Sequence, residues 1–87
     1  MKSATLPSFW VAYDKLDKNT KERAKKSFIL WAENHFHPSL RFKCVNPQEG
    51  TWSVRITRGI RALGKMKEDT ITWFWIGNHD EYERFIG

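Results

Sequence analysis

The segment Trp52–Gly64 constrains the fold most strongly, because its residue pattern predicts a β-hairpin with a single register. A three-residue loop, Thr57–Gly59, with Gly59 in the left-handed conformation, places Arg55 opposite Arg61 on the neighbouring strand. The two-residue repeat of a strand then predicts one apolar face, made of Trp52, Val54, Ile56, Ile60 and Ala62. A two-residue loop would instead pair an isoleucine with Arg61 and disrupt both faces.

Arg55 and Arg61 lie side by side on the other face of this predicted hairpin. Like charges directly opposite each other destabilise a sheet. An anion bound between the two guanidinium groups would offset their repulsion. The alternative is that both arginines are solvated side chains on an exposed face.

The distribution of charge points to the same region. The chain has 87 residues, enough for one small domain (residues 1–87) with one core, and a formal net charge of +5. From Arg41 to Lys67 there are seven Lys and Arg residues against one acid, Glu49. A basic sheet region is typical of a nucleic-acid-binding protein.

Aromatic residues are also abundant, with five Trp, six Phe and two Tyr. A small domain cannot bury so many large rings, so some are expected on a surface that binds a partner. Together with the basic sheet, they predict a partner segment that is acidic and amphipathic.

Cysteine, histidine and hydropathy patterns exclude several classes of protein. Cys44 is the only cysteine, so no internal disulfide can form. No apolar run reaches the length of a membrane span, and the N-terminus lacks the apolar region of a signal peptide. His35 and His37 have no Cys, Asp or Glu at zinc-site spacing beside them. We therefore expect a cytoplasmic protein without metal or cofactor, whose two histidines make local hydrogen bonds in a turn.

The N-terminal half predicts an antiparallel pair of helices. After a short extended lead to Leu6, Pro7 suits the first turn of a helix with an apolar stripe at Phe9, Tyr13 and Leu16. Asn19 and Glu22 resemble a capping box for a second helix that ends near Asn34. The buried face of that helix is predicted to comprise Ala24, Phe28, Trp31 and Ala32.

The C-terminal half predicts four antiparallel strands. Residues 40–45 alternate, with Leu40, Phe42 and Cys44 facing inwards. The hairpin supplies two further strands, and Thr70–Gly77 is apolar on both faces, as a strand covered on both sides would be. Asn78 is placed to cap a short final helix whose apolar stripe is Tyr82, Phe85 and Ile86.

Helices followed by strands predict an α+β fold, with two antiparallel N-terminal helices packed on one face of a four-stranded antiparallel sheet and a short C-terminal helix. The N-terminal lead is a candidate fifth strand at the edge. The sheet face away from the helices would then carry Arg41, Lys43, Arg55 and Arg61.

This arrangement of cations suits the cleavage of a phosphodiester. Arginine forks bind two phosphate oxygens at once and would stabilise the charge of the transition state. No set of carboxylates converges as a two-metal mechanism needs, so the nucleophile would be the 2′-OH of RNA. His79 and Tyr82 follow the last strand and are candidates for the proton transfers. The alternatives are a capping histidine, a packing tyrosine and, at Lys43, an ordinary exposed strand lysine.

Further cations are candidates for binding the RNA backbone. They comprise Arg41 and Lys43 on the sheet, Arg58 in the hairpin loop, and Lys21, Arg23, Lys25 and Lys26 on the second helix. For the four helix cations a solvated face is the alternative.

Four motifs in this order resemble the RelE/ParE superfamily of bacterial type II toxins: His-Pro-Ser-Leu-Arg-Phe-Lys (37–43), Trp-Ser-Val-Arg-Ile (52–56), Ile-Arg-Ala-Leu-Gly (60–64) and Trp-Phe-Trp-Ile-Gly-Asn-His-Asp-Glu-Tyr (73–82). The resemblance implies two helices on an antiparallel sheet and a toxin held inactive by a cognate antitoxin. The superfamily's basic sheet residues match Lys43, Arg55 and Arg61, and its C-terminal His/Tyr pair matches His79 and Tyr82.

The RelE branch of this superfamily cleaves mRNA on the ribosome by 2′-OH attack, without metal. The ParE branch shares the fold but inhibits DNA gyrase, and a non-catalytic binding module is a third possibility on the same scaffold. The pair His79 and Tyr82, with the two arginines, favours the RelE-like activity. The resemblance leaves open which residue is the acid and which the base.

Overall fold

The computed structural model of the protein describes residues 1–85. In chain order its elements are β1 (Lys2–Thr5), α1 (Pro7–Asp14), α2 (Lys18–Glu33), a 3-10 turn (Pro38–Leu40), β2 (Lys43–Asn46), β3 (Thr51–Thr57), β4 (Ile60–Lys67), β5 (Thr70–Asn78), α3 (His79–Tyr82) and a final 3-10 turn (Glu83–Phe85). The predicted α+β fold is confirmed.

The five strands form one sheet in the order β1-β5-β4-β3-β2. The N-terminal lead is the edge strand β1, which pairs in parallel with β5, and the other neighbours are antiparallel. β5 therefore lies inside the sheet, between β1 and β4.

Helices α1 and α2 cover one sheet face, which we call the inner face. Phe9, Ala24 and Trp31 from the helices share a core with strand residues Val54, Ile56, Ala62, Ile71, Trp73 and Ile76. Burial of each large apolar side chain contributes roughly 1.5–3 kcal/mol. Of the positions predicted to be buried in α1 and α2, only Ala32 is exposed, because it lies in an open groove between β1, α1 and α2.

The N-terminus of α2 differs from the prediction. Asp17 is the capping residue, and its Oδ1 accepts a hydrogen bond of 2.7 Å from the backbone N–H of Thr20. The predicted capping box at Asn19 and Glu22 is wrong. The helix already begins at Lys18, and Asp17, at the N-cap position, satisfies the N–H of the third helical residue, Thr20. The hydrogen bonds from Thr20 lower the pKa of the Asp17 carboxyl.

Strand β2 begins later than predicted. The 3-10 turn ends at Leu40, and Arg41 has a left-handed backbone with φ of 45°, so the strand starts only at Lys43. Leu40 and Phe42 are buried as predicted. Cys44 is exposed instead of buried, although it pairs with Trp52, because β2 is the edge strand of the sheet.

The register of the β3–β4 hairpin is confirmed, since Arg55 pairs with Arg61. The predicted three-residue loop is wrong. Thr57 pairs with Ile60 across a two-residue turn, and the register shifts between Arg55 and Thr57. The φ angle of Gly59 is not positive, so Gly59 does not adopt the predicted left-handed conformation. A bulge at Ile56 supplies the extra residue, so both faces survive the shorter turn.

The outer face, away from α1 and α2, is partly covered by the C-terminal segment. Tyr82 of α3 is only 6% exposed, and the ring of Phe85 lies 5.1 Å from Trp75 and 5.7 Å from Phe74 between centroids. β5 is thus covered on both faces, as predicted. Ile86, predicted in the same stripe, lies outside the described residues. Within residues 1–85 no helix is long and apolar enough to cross a membrane.

Candidate functional site

The central feature of the outer face is the pair Arg55 and Arg61, which lie directly opposite each other on β3 and β4. Opposed residues on antiparallel strands have Cβ atoms about 4.5–5.5 Å apart. Neither guanidinium forms an ion pair with a carboxylate of the described chain; the ion pairs found there are Met1–Asp69, Lys65–Glu49 and Arg84–Glu81. The mutual repulsion of the pair is therefore not offset by an internal counter-ion.

Part of the Arg61 side chain is engaged by the hairpin turn. Its Nη1 donates to the carbonyl oxygens of Thr57 (2.7 Å), Arg58 (3.1 Å) and Ile60 (3.1 Å). Burial and the positive charge of Arg55 lower the pKa of Arg61, although an arginine stays protonated. Arg61 thus fixes the turn while its Nε and Nη2 make no hydrogen bond within residues 1–85.

His79 and Tyr82 lie at the same end of the outer face. The backbone N–H of His79 donates to the carbonyl of Gly59 (2.9 Å), which joins the start of α3 to the hairpin turn. Asn78 caps α3 as predicted, its Oδ1 accepting from the N–H of Glu81 at 2.9 Å. The ring centroids of His79 and Tyr82 are 4.8 Å apart. Tyr82 also lies close enough to Arg61 to raise the pKa of its guanidinium through electrostatic interaction.

We call Arg55, Arg61, His79 and Tyr82 the outer-face cluster. Four of the five residues predicted as catalytic thus meet where the β3–β4 turn and α3 come together. The fifth, Lys43, is exposed on β2 and pairs with Ser53, one row further along the same face. His79 is half-buried and Tyr82 is buried, so His79 is the member of that pair that solvent reaches more readily.

A cleft of about 430 Å³ opens beside the cluster, between α2, the 3-10 turn and the end of β3. We call it the basic cleft, because its charged lining residues are Arg23, Lys26, Arg55 and Arg58. Arg55 lines this cleft and also belongs to the outer-face cluster. Because β2 pairs with β3 only as far as Ser53, the β2-side edge of β3 has no partner strand beyond that residue in the described part of the chain.

Arg23, one of the four helix cations predicted as candidates for binding the RNA backbone, lines the basic cleft. Arg23, Lys26, Ser27 and Leu30 are spaced i, i+3, i+4 and i+7, which places them on one face of a helix. All four line the basic cleft.

The residues predicted to bind the RNA backbone are divided among several surfaces. Lys26 and Arg58 line the basic cleft. Arg41 is exposed, yet close enough for its charge to lower the pKa of Arg61. Lys25 lies apart from these cations and lines an apolar groove on the other side of α2.

This apolar groove, of about 420 Å³, lies between β1, α1 and α2. Its lining includes Phe9, Trp10, Tyr13, Phe28, Ile29 and Trp73. Trp10 and Ile29 are 49% and 63% exposed, which is high for large apolar side chains. β1 forms the adjacent edge of the sheet and pairs on one side only within the described part of the chain.

His35 and His37 make the local hydrogen bonds that the sequence predicts. The Nδ1 of His35 lies 2.6 Å from the carbonyl oxygen of Trp31. The Nδ1 of His37 lies 2.8 Å from the hydroxyl of Ser39 and accepts from its backbone N–H at 3.2 Å. No group of three or more potential metal ligands occurs in residues 1–85.

A model of the ParE-like toxin domain matches residues 18–84, most of the chain and all of the outer-face cluster. This chain belongs to the ParE-like toxin domain family. The predicted membership of the RelE/ParE superfamily of toxin–antitoxin toxins is thereby confirmed. A comparison with curated proteins found no significant match.

Solved structures show the same fold as this ParE-like domain. The YoeB/ParE toxin from Agrobacterium tumefaciens has a TM-score of 0.70 at 19% identity, over 91% of this chain and 99% of that one. A chain of the RelB–RelE antitoxin–toxin complex from Methanococcus jannaschii has a TM-score of 0.75 at 10% identity, over 97% and 99%. YafQ from E. coli has a TM-score of 0.73 at 10% identity, over 92% and 94%.

Proposed function

We propose that this ParE-like domain inhibits translation by cleaving mRNA on the ribosome, with the RNA 2′-OH as nucleophile and without a metal. The observation that carries the proposal is the outer-face cluster, where two arginines that form no ion pair within residues 1–85 lie beside a histidine and a tyrosine. Because ribosomes and mRNA occupy the cytoplasm, the toxin would act there.

The outer-face cluster supplies the groups that this reaction needs. Arg55, and the free Nε and Nη2 of Arg61, would bind the non-bridging oxygens of the scissile phosphate. As the 2′-oxygen attacks phosphorus, these fixed cations would stabilise the extra negative charge of the transition state. The turn carbonyls that hold Nη1 of Arg61 keep the guanidinium in place before substrate arrives.

Proton transfer would involve His79 and Tyr82. One group takes the proton of the 2′-OH, and the other donates a proton to the departing 5′-oxygen. The products are a 2′,3′-cyclic phosphate and a free 5′-OH. His79, half-buried at the first position of α3, is the member that a substrate reaches first, whereas Tyr82 is buried beside it, with 4.8 Å between the ring centroids.

The experiment that tests this proposal is primer extension on a reporter mRNA in a translating extract to which the purified domain is added. New 5′ ends within the open reading frame, dependent on active translation, are the expected result. An unchanged mRNA in an extract whose protein synthesis has stopped would contradict the proposal.

Inhibition of DNA gyrase is the second candidate function, and the match to the ParE-like family model favours it. The burial of Tyr82 also agrees with a packing role for that ring. A supercoiling assay with purified gyrase separates the two functions. Loss of supercoiling together with intact mRNA would assign the domain to gyrase.

We further propose that the apolar groove binds a cognate antitoxin. The groove joins exposed aromatic and aliphatic side chains to the edge of β1 that has no partner strand within residues 1–85. Among the described residues that line it, Lys25 alone is charged, which favours an acidic amphipathic segment. The structural neighbour from M. jannaschii comes from an antitoxin–toxin complex. Failure to co-purify with the product of the adjacent reading frame would contradict this proposal.

A further inference from the structure

The basic cleft concentrates positive charge. Arg23, Lys26, Arg55 and Arg58 line one cavity of about 430 Å³. Among the residues that the structure describes, no carboxylate lies within ion-pair distance of any of them. Four cations around one cleft repel each other, so the arrangement lowers stability unless an anion occupies the space.

The cations approach the cleft from two independent elements. Arg23 and Lys26 are three residues apart on α2 and so lie on one helix face, whereas Arg55 and Arg58 come from the end of β3 and the turn after it. The core between α2 and β3 fixes these two walls relative to each other. A bound group would therefore be contacted from both sides.

The remaining lining of the cleft suits a phosphate group. Ser27, Ser39 and Thr57 contribute hydroxyls, while Leu30, Leu40 and Ile56 form apolar walls. Hydroxyls and arginine forks donate hydrogen bonds to phosphate oxygens, and apolar walls strengthen charge interactions by excluding water. The volume exceeds by far the 30 Å³ or so that one water occupies.

We propose that the basic cleft is a second phosphate-binding site, which binds the RNA backbone next to the phosphate held by the outer-face cluster. Arg55 belongs to both sites and makes them continuous. The cleft therefore positions the flanking nucleotides of the strand that is cut. This inference rests on the proposed ribonuclease function, but concerns binding and not cleavage.

RNA binding can be measured apart from cleavage with a fluorescent single-stranded RNA in which every 2′-OH is methylated. We expect Arg23→Gln/Lys26→Gln to weaken binding about tenfold or more, because each lost contact is a charge-assisted hydrogen bond. The dependence of log K on log salt should fall in slope by about 1.4, since two phosphate contacts to a single strand are removed.

Lys15→Gln/Lys18→Gln is the matched control, because it removes two positive charges from exposed positions outside the cleft. A twofold change or less in this control, with the large loss in the cleft variant, would support the proposal. Equal losses in both variants would show diffuse attraction and overturn it. Arg58→Gln changes an exposed turn side chain and tests the cleft again should the double variant unfold.

Poly-glutamate is the competitor that distinguishes RNA from an acidic protein segment. If it displaces the RNA at equal charge concentration from the wild type, the cleft recognises negative charge in general, and the proposal is overturned. If RNA binding depends on the cleft but mRNA is not cleaved in the translating extract, the cleft is still a phosphate-binding site and only the ribonuclease function is contradicted.

Discussion

Arg61 faces Arg55 across the β3–β4 ladder, and its Nη1 is held by three carbonyl oxygens of the adjoining turn. One arginine is thus fixed by the backbone, while the other makes no described hydrogen bond or ion pair. This asymmetry assigns the two residues different contributions to stability. It also allows their structural and functional effects to be separated by mutation.

Replacing Arg55 should have opposite effects on stability and toxicity. Arg55→Gln removes a like-charge pair, so we expect the free energy of unfolding to rise by about 0.2–1 kcal/mol. Toxicity should fall at the same time, because the phosphate loses a cation. Urea unfolding and growth after induced expression measure the two quantities. Reduced stability together with full toxicity would contradict the assignment of Arg55.

Replacing Arg61 should lower both the free energy of unfolding and the toxicity. Arg61→Ala removes the donors that hold the turn, and we expect a loss of about 1–3 kcal/mol in the free energy of unfolding. Arg61→Lys keeps the charge but not the planar fork, so it should recover part of the stability and little of the activity. If the Arg61→Ala protein is fully toxic and fully stable, Arg61 neither stabilises the turn nor binds the phosphate.

The residues after β5 should contribute unequally to cleavage. His79→Ala should reduce the cleavage rate by about 100-fold or more, the scale of a lost proton transfer. Tyr82→Phe keeps the buried ring and should reduce the rate less. The measurement is the rate of appearance of cleaved mRNA in a translating extract, with circular dichroism to verify folding. A larger loss in Tyr82→Phe than in His79→Ala would reverse the assignment.

The cap of α2 makes stability depend on acid pH. Hydrogen bonds from Thr20 lower the pKa of Asp17 in the folded state, so its stabilising contribution is complete above the unfolded pKa of about 3.9 and disappears as pH falls through the lower folded value. We expect Asp17→Ala to lower the melting temperature at pH 7 and to make little difference near pH 2. Asn19→Ala is the control and should leave the melting temperature unchanged.

The role of the apolar groove in antitoxin binding can be tested with two side chains of similar exposure. Ile29 lines the groove and is 63% exposed, whereas Val11 on α1 is 60% exposed but does not line it. Ile29→Glu should weaken antitoxin binding by tenfold or more, because it places a charge where an apolar and acidic segment would bind. Val11→Glu should bind normally. Calorimetric titration with the purified antitoxin measures both.

Periodic patterns predicted most of the fold correctly. The pairing of Arg55 with Arg61 follows from alternation and was found as expected, because a slip of one residue would expose an entire apolar face. The turn conformation could not be predicted from the alternation. A two-residue turn with a bulge at Ile56 and a three-residue loop ending at Gly59 leave the same residues on each face of the hairpin. Likewise Asp17 and Asn19 are both good capping residues, and only the three-dimensional path of the chain selects Asp17.

The candidate site was predictable only in part. The outer-face cluster comes from neighbouring strands and the segment that follows, so register and chain order bring its members together. The basic cleft joins α2 to the hairpin across a tertiary contact. Its Arg23 could have been placed on a helix stripe with Lys26, but no sequence rule states which strand that stripe faces.

We propose above that the RNA 2′-OH is the nucleophile and that the outer-face cluster promotes its attack by stabilising the transition state and transferring protons. The most direct measurement compares a reporter mRNA with the same mRNA carrying one 2′-O-methyl group at the mapped cleavage site, both translated with the wild-type domain. We predict that the unmodified mRNA is cut to a 2′,3′-cyclic phosphate and a 5′-OH, and that the methylated position stays intact. Unchanged cleavage at the methylated position would contradict the account.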